Sequence, residues 1–215
     1  MSRSVGRLHV LTDQVLQTRF SHAELARLSI AGGADTIQLR QKAGSTREMI
    51  ETARAMRHLC DQEGVAFIVN DRVDVALAAG AHGVHLGQDD FPLPLARQLL
   101  GPKSILGGSA SDLAEARKCV AEGADYVGFG PIFATTSKAD AGPAAGLALL
   151  GRVVEEIPLP VVGIGGIDAL NAPLVIAVGA HGVAIISAVC CQDDPTAAAR
   201  ALSLALRTVA GGGHA

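Results

Sequence analysis

One phrase recurs along the chain. Gly33-Ala34-Asp35 precedes the run TIQLR, Gly80-Ala81-His82 precedes GVHLG, Gly123-Ala124-Asp125 precedes YVGFG, and Gly179-Ala180-His181 precedes GVAIIS. Each phrase has the form of a helix end turning into a strand, because glycine stops a helix and the run behind it is short and apolar. The four glycines stand 47, 43 and 56 residues apart, and a second apolar run lies inside each interval. Every period therefore holds two β/α units. The strands fall near 7–12, 35–40, 65–70, 82–87, 104–108, 125–130, 160–164 and 182–187. Amphipathic stretches such as Thr46–Glu63 and Leu113–Glu122 separate them, with apolar positions three and four apart. Short, nearly continuous apolar strands require burial on both faces, as parallel strands with helical crossovers have it. The expected fold is α/β, a (β/α)8 TIM barrel forming a single compact domain over 1–215, with about 208–215 a flexible C-terminal tail. A doubly wound open sheet is the alternative, but it gives no reason for four equivalent quarters.

Composition restricts what such a barrel does. The 215 residues carry 18 Lys and Arg against 21 Asp and Glu, a net charge of −3, which is too even for a nucleic-acid or polybasic membrane surface. Aromatics are 3% with no Trp, so stacking platforms for single strands are nearly absent. Met1–Thr12 lacks a signal-peptide core, and no apolar run is long enough for a membrane span, so a cytoplasmic location is expected. Cys60, Cys119, Cys190 and Cys191 form no CxxC or Cys/His metal spacing and are expected to be reduced structural residues.

In barrels of this kind the chemistry sits where the strands end. That rule gathers scattered polar residues into one mouth. Gln38, Arg40 and Lys42 alternate along the end of strand 2, so a period of two puts them on one side. Arg and Lys together suit a diphosphate, although an ion pair with a nearby carboxylate explains them equally. Asn70-Asp71 and Asp89-Asp90 end strands 3 and 4, each just before a helix. They serve either as helix caps or, on adjacent strands facing the same mouth, as Mg²⁺ ligands. Gly163-Ile164-Gly165-Gly166 follows strand 7 and leads toward a helix with Asp168 near its start, a position where barrels often bind phosphate, and Ser187 closes strand 8 beside it. The segment 130–146 is a long loop bearing Thr135, Thr136, Ser137 and Lys138, of the kind that forms a lid or a disordered tip. His9 and His85 lie within strands and are expected to be satisfied interior residues. His82 and His181 lie at strand entrances, the stabilising end of a barrel.

The motifs QLRQK at 38–42, VNDRVDVALAAGAHGVHLGQDD at 69–90, YVGFGPIFATTSK at 126–138, GIGGI at 163–167 and GVAIISAV at 182–189 together resemble the thiamine-phosphate synthase family. The similarity runs from about Leu8 to about Arg207. It implies a transferase that joins 4-amino-2-methyl-5-(diphosphomethyl)pyrimidine to a thiazole phosphate and releases diphosphate. By the same resemblance, Gln38, Arg40, Lys42, Asn70, Ser109 and Lys138 hold the pyrimidine diphosphate, with Arg40, Lys138 and Ser109 in catalytic roles. Asp71 and Asp90 hold Mg²⁺, and Thr135, Ser137, Gly166, Ile186 and Ser187 hold the thiazole phosphate. A related thiazole tautomerase carries a catalytic His two residues after the strand 5 Ser, a position the synthases commonly share, and here that residue is Ser111. A barrel that binds thiamine precursors without turning them over is a third reading. Retention of Asp71, Asp90 and Lys138 speaks against it.

Overall fold

The computed structural model describes residues 5–137 and 142–210. Eight parallel strands close into a barrel in sequence order. They are β1 Leu8–Thr12, β2 Thr36–Leu39, β3 Ala66–Asn70, β4 Gly83–Leu86, β5 Ile105–Ala110, β6 Tyr126–Phe129, β7 Val161–Ile164 and β8 Gly182–Ile185. Helices α1 His22–Ala31, α2 Thr46–Gln62, α3 Val73–Ala79, α4 Leu93–Leu100, α5 Leu113–Ala121, α6 Gly146–Glu156 and α7 Ala172–Ala177 link successive strands. After β8 come a short α8, Ser187–Cys190, and a long α9, Pro195–Ala210. The last helix thus runs through 208–210, and 211–215 lie outside the described residues. Among the described residues, no helix is long and apolar enough to cross a membrane.

Local chemistry starts the helices where the sequence places them. Ser21 with Glu24, and Ser45 with Glu48, form reciprocal capping boxes that open α1 and α2. Strand parity then divides the core in two. Leu8, Val10, Ile37, Leu39, Phe67 and Val69 point outward and pack under the helices. Leu11, Ala66, Ile68, Ile105, Tyr126, Val162 and Ala184 point inward and fill the barrel.

The recurring phrase has a structural cause. At its third position, Asp35 accepts the N–H of Leu8 at 2.9 Å, His82 accepts that of Phe67 at 2.8 Å, and Asp125 accepts that of Leu106 at 2.7 Å. His181 donates to the carbonyl of Val5 at 3.0 Å. Each even-numbered strand therefore begins with a side chain that pairs a backbone group of a neighbouring strand or segment, as buried backbone requires.

Candidate active site

A cavity of about 540 Å³ opens at the carboxyl ends of the strands. On one wall stand Gln38 in β2, Arg40 and Lys42 after it, Asn70 and Asp71 at the end of β3, and Asp90 beyond β4. Ser109 of β5 follows them. Across the opening stand Thr135 and Ser137 after β6, Gly166 after β7, and Ile186 with Ser187 after β8. All the candidate residues within the described chain thus share one cavity. Lys138 lies outside the described residues.

The cationic wall is built around carboxylates. Asp13, fully buried just past β1, pairs with the Arg40 guanidinium, and its other oxygen accepts the N–H groups of Val15 at 2.7 Å and Leu16 at 2.9 Å. Arg40 is therefore both an ion-pair partner and part of the cavity, and the two sequence readings of it hold together. Lys42 pairs with Asp71. Asp71 has φ 65° and is the one non-glycine residue at positive φ among those described, a conformation that Asp tolerates better than most side chains. Strain of this sort gathers at functional sites.

Capping does not account for Asp71 or Asp90. The N-cap positions of α3 and α4 are Arg72 and Pro92, and neither makes a side-chain cap bond. Asp90 instead accepts the N–H of Gly87 at 2.7 Å and stands near enough to Asp71 to feel its charge. Partial desolvation, followed by the adjacent Asp71 charge, holds the Asp90 carboxyl above its usual range. Two hard oxygen donors brought together at a cavity wall fit Mg²⁺, which takes one or two carboxylates and completes its shell with phosphate and water.

Among the described residues, the opposite wall is neutral. Ser137 donates its hydroxyl to that of Ser187 at 3.0 Å, and its N–H to Thr135 Oγ1 at 3.2 Å. Gly165 and Gly166 hold φ of 95° and 65°, and the β6 loop packs against them so closely that a Cβ on Gly166 would lie 2.6 Å from the carbonyl oxygen of Ala134. These glycines do not abut a helix as the sequence suggests. A turn built on Asp168 and Asn171 intervenes, and α7 begins only at Ala172. The helix that opens at the cavity is α8, through Ser187.

Sequence patterns give no role to His9, His85 or Tyr126, yet all three line the floor of the cavity. His85 contacts the Tyr126 hydroxyl through Nδ1 and the Ser109 hydroxyl through Nε2, both at 2.9 Å. Gly107 and Gly128 make room for it, since a Cβ on Gly107 would lie 2.3 Å from His85 Nδ1 and one on Gly128 2.8 Å from its Cε1. Gln38 Nε2 lies 3.3 Å from the Tyr126 hydroxyl and 3.5 Å from His9 Nδ1, while its Oε1 is buried without a partner. Strand parity could have found these residues, because His9 is two positions from inward-facing Leu11 and His85 two from Gly83 and Gly87. Ser111 donates its hydroxyl to Glu115 at 2.8 Å.

Comparison with known proteins agrees with this geometry. Residues 8–189 match the family model described as thiamine monophosphate synthase. A thiamine-phosphate synthase of Methanocella arvoryzae is 53% identical over 91% of this chain and 92% of its own. One from Chloroflexus aurantiacus is 52% identical over 91% and 90% respectively. The solved structure of a thiamine phosphate pyrophosphorylase from Pyrococcus furiosus superposes with a TM-score of 0.87 at 40% identity, covering 94% of this chain and 96% of that one. A matched model over most of the barrel, relatives at half identity and a shared fold together place the chain in the thiamine monophosphate synthase family.

Proposed function

We propose that this chain carries out the thiamine-phosphate synthase reaction of its family with the pyrimidine diphosphate against the β2–β5 wall and the thiazole phosphate against the β6–β8 wall. The observation that carries this reading is the division of the cavity. Among the described residues, the cations Arg40 and Lys42 and the carboxylates Asp71, Asp89, Asp90 and Glu115 stand on one wall, and hydroxyls and glycine backbone stand on the other. A diphosphate leaving group needs the former. A phosphate that stays bound throughout suits the latter.

In the reaction, the C–O bond between the pyrimidine methylene and diphosphate breaks heterolytically, and both electrons leave with the diphosphate. The electron-rich aminopyrimidine delocalises the resulting cation, so the protein supplies no nucleophile. The thiazole nitrogen lone pair then forms the new C–N bond. The chain's task is to stabilise the departing charge and to exclude water from the cation. Arg40, held by buried Asp13, and Lys42 supply fixed positive charge, and Lys138 is assigned to the same phosphates. Asp71 and Asp90 would hold Mg²⁺, which when bound supplies charge compensation to the diphosphate oxygens. Gln38, Asn70 and Ser109 orient the pyrimidine, while Thr135, Ser137, Gly166, Ile186 and Ser187 hold the thiazole phosphate. The tautomerase reading gains no support, because Ser111 stands at its proton-carrier position with its hydroxyl engaged by Glu115.

The test is a split in substrate dependence. Ser187→Ala should raise KM for thiazole phosphate by roughly tenfold, the effect of one lost phosphate hydrogen bond, and leave KM for the pyrimidine diphosphate unchanged. A change confined to pyrimidine saturation would contradict the two walls.

A further inference from the structure

A carboxylate that does not itself line the cavity holds one of the cavity's cations. Asp13 stands one residue past β1 and is fully buried. A charge in such a place is costly unless donors meet it from the protein. One oxygen takes the N–H groups of Val15 and Leu16 and the other takes the Arg40 guanidinium, so Asp13 accepts on both sides. The carboxylate is also braced from behind. Gln17, 8% exposed, donates through Nε2 to the carbonyls of Asp13 and Phe20 and accepts the N–H of Phe20, each at 2.9 Å. Arg19 ties the same segment to the connection after α8, donating to the carbonyls of Cys191 at 3.1 Å and Gln192 at 2.8 Å. Residues 13–20 therefore form a fixed support.

Arg40 meets this support from the neighbouring strand end. Its backbone N–H donates to the carbonyl of Thr12 at 3.2 Å, and its side chain, 12% exposed, reaches Asp13 through one terminal nitrogen. A guanidinium carries five N–H donors, and no second acceptor meets the side chain of Arg40 among the described residues, although Arg40 lines the cavity. One nitrogen is anchored and the others are left to an anion. Lys42 is held differently, because it is 44% exposed and its partner Asp71 is itself a cavity residue. A long side chain that is ordered only when ligand binds loses its freedom at that moment, whereas one already held does not.

We propose that Asp13 is a positioning residue that holds Arg40 in place for the diphosphate before the pyrimidine substrate arrives. The inference rests on the assignment of the diphosphate to the β2–β5 wall. Arg40 touches the leaving group, and Asp13 acts through Arg40. Acceptance on both sides explains why an anion is needed at residue 13. Asn has a single oxygen, so turned toward Val15 and Leu16 it sets its NH₂ against the guanidinium, and turned toward Arg40 it sets its NH₂ against two backbone N–H groups. Either way Arg40 loses its anchor or the anchor loses its support.

Asp13→Asn should lower kcat/KM for the pyrimidine diphosphate by about tenfold or more, the effect of a lost hydrogen bond to a charged group, and leave KM for thiazole phosphate within about twofold of wild type. A loop that only supported the fold would move both substrates alike. The second arm repeats the substitution in Arg40→Gln, where Asp13 has no cation to hold and its charge is left unpaired behind the cavity wall. There Asp13→Asn should leave kcat/KM unchanged or raise it. An equal loss in both backgrounds overturns the proposal, and so does an equal rise in both KM values. Side-chain ¹H–¹⁵N NMR of the ligand-free wild type keeps the test open even where Asp13→Asn fails to fold. The Arg40 guanidinium should rotate slowly and show resolved Nη protons, and rapid averaging overturns the proposal. Any of these failures in a wild type that makes thiamine phosphate removes the role of Asp13 alone, whereas a wild type that makes none overturns the function and this role together.

Discussion

At the strand entrances Asp35, His82, Asp125 and His181 each pair a backbone group of a neighbouring strand or segment, whereas at the strand exits Asp71 sits at positive φ beside Asp90 and Gln38 keeps a buried oxygen without a partner. The same side-chain types stand at both ends. What differs is whether their bonding capacity is used up within the protein. Saturated groups stabilise the barrel, and the crowded carboxylates that line the cavity are open to a ligand. The repeat that announces the fold belongs to the saturated end, which explains why it recurs four times with so little change. The exits follow no such repeat because each contributes a different group to one cavity.

Exchanging charge for shape at the exits should have the largest effect. Asp71→Asn and Asp90→Asn keep the volume of each side chain, and Asn tolerates the positive φ of residue 71 as well as Asp does. Both variants should melt within a few degrees of wild type. Both should lose about 10²-fold in turnover at low Mg²⁺, comparable with removal of one charge-stabilising group, and regain part of it as Mg²⁺ is raised. Full activity at low Mg²⁺ would show that these carboxylates belong with the saturated end.

The converse substitution is Asp35→Ala, which strips the N–H of Leu8 of its partner. An unpaired buried donor costs about 1–3 kcal/mol, and in a domain of this size each kcal/mol lowers Tm by roughly 2–4 °C. KM for both substrates should stay within about twofold of wild type in steady-state assays. A selective rise in either KM would break the division between the two ends.

The smallest effect concerns two buried histidines, one of them on the cavity floor. Burial lowers the pKa of both His9 and His22 to about 4, from 6.5 when unfolded. Between those values the unfolded chain binds protons that the folded one refuses. The stability these groups allow is complete above about pH 6.5 and declines as pH falls toward 4, with a slope approaching about 1.4 kcal/mol per pH unit for each histidine. Thermal melts of wild type and His9→Phe between pH 7 and 5 should diverge, with wild type falling faster. Parallel curves would mean that His9 is not held neutral by burial.

The barrel was legible because its signal is repeated and local. Strand boundaries move by one or two residues, and all eight strands stand where apolar runs and the glycine phrase put them. The mouth was legible through a single rule, that polar residues at strand ends converge, and that rule reached every described residue from Gln38 to Ser187. Three features escaped it. His9 and His85 looked like ordinary strand histidines because sequence gives no sign of which nitrogen meets which partner. Whether Asp71 and Asp90 cap helices or hold a metal stayed open in the sequence because both precede helices, and only the structure shows that α3 begins two residues after Asp71 and α4 three after Asp90. The glycines after β7 looked like the mouth of a helix because the turn on Asp168 and Asn171 has no distinctive composition.

The central claim is that this divided cavity joins two phosphorylated rings, and one incubation tests it most directly. Purified protein with 4-amino-2-methyl-5-(diphosphomethyl)pyrimidine, thiazole phosphate and Mg²⁺ should yield thiamine phosphate and diphosphate in equal amounts, each dependent on both substrates. Failure to form thiamine phosphate, or conversion of the thiazole to an isomer in the absence of the pyrimidine, would contradict the account.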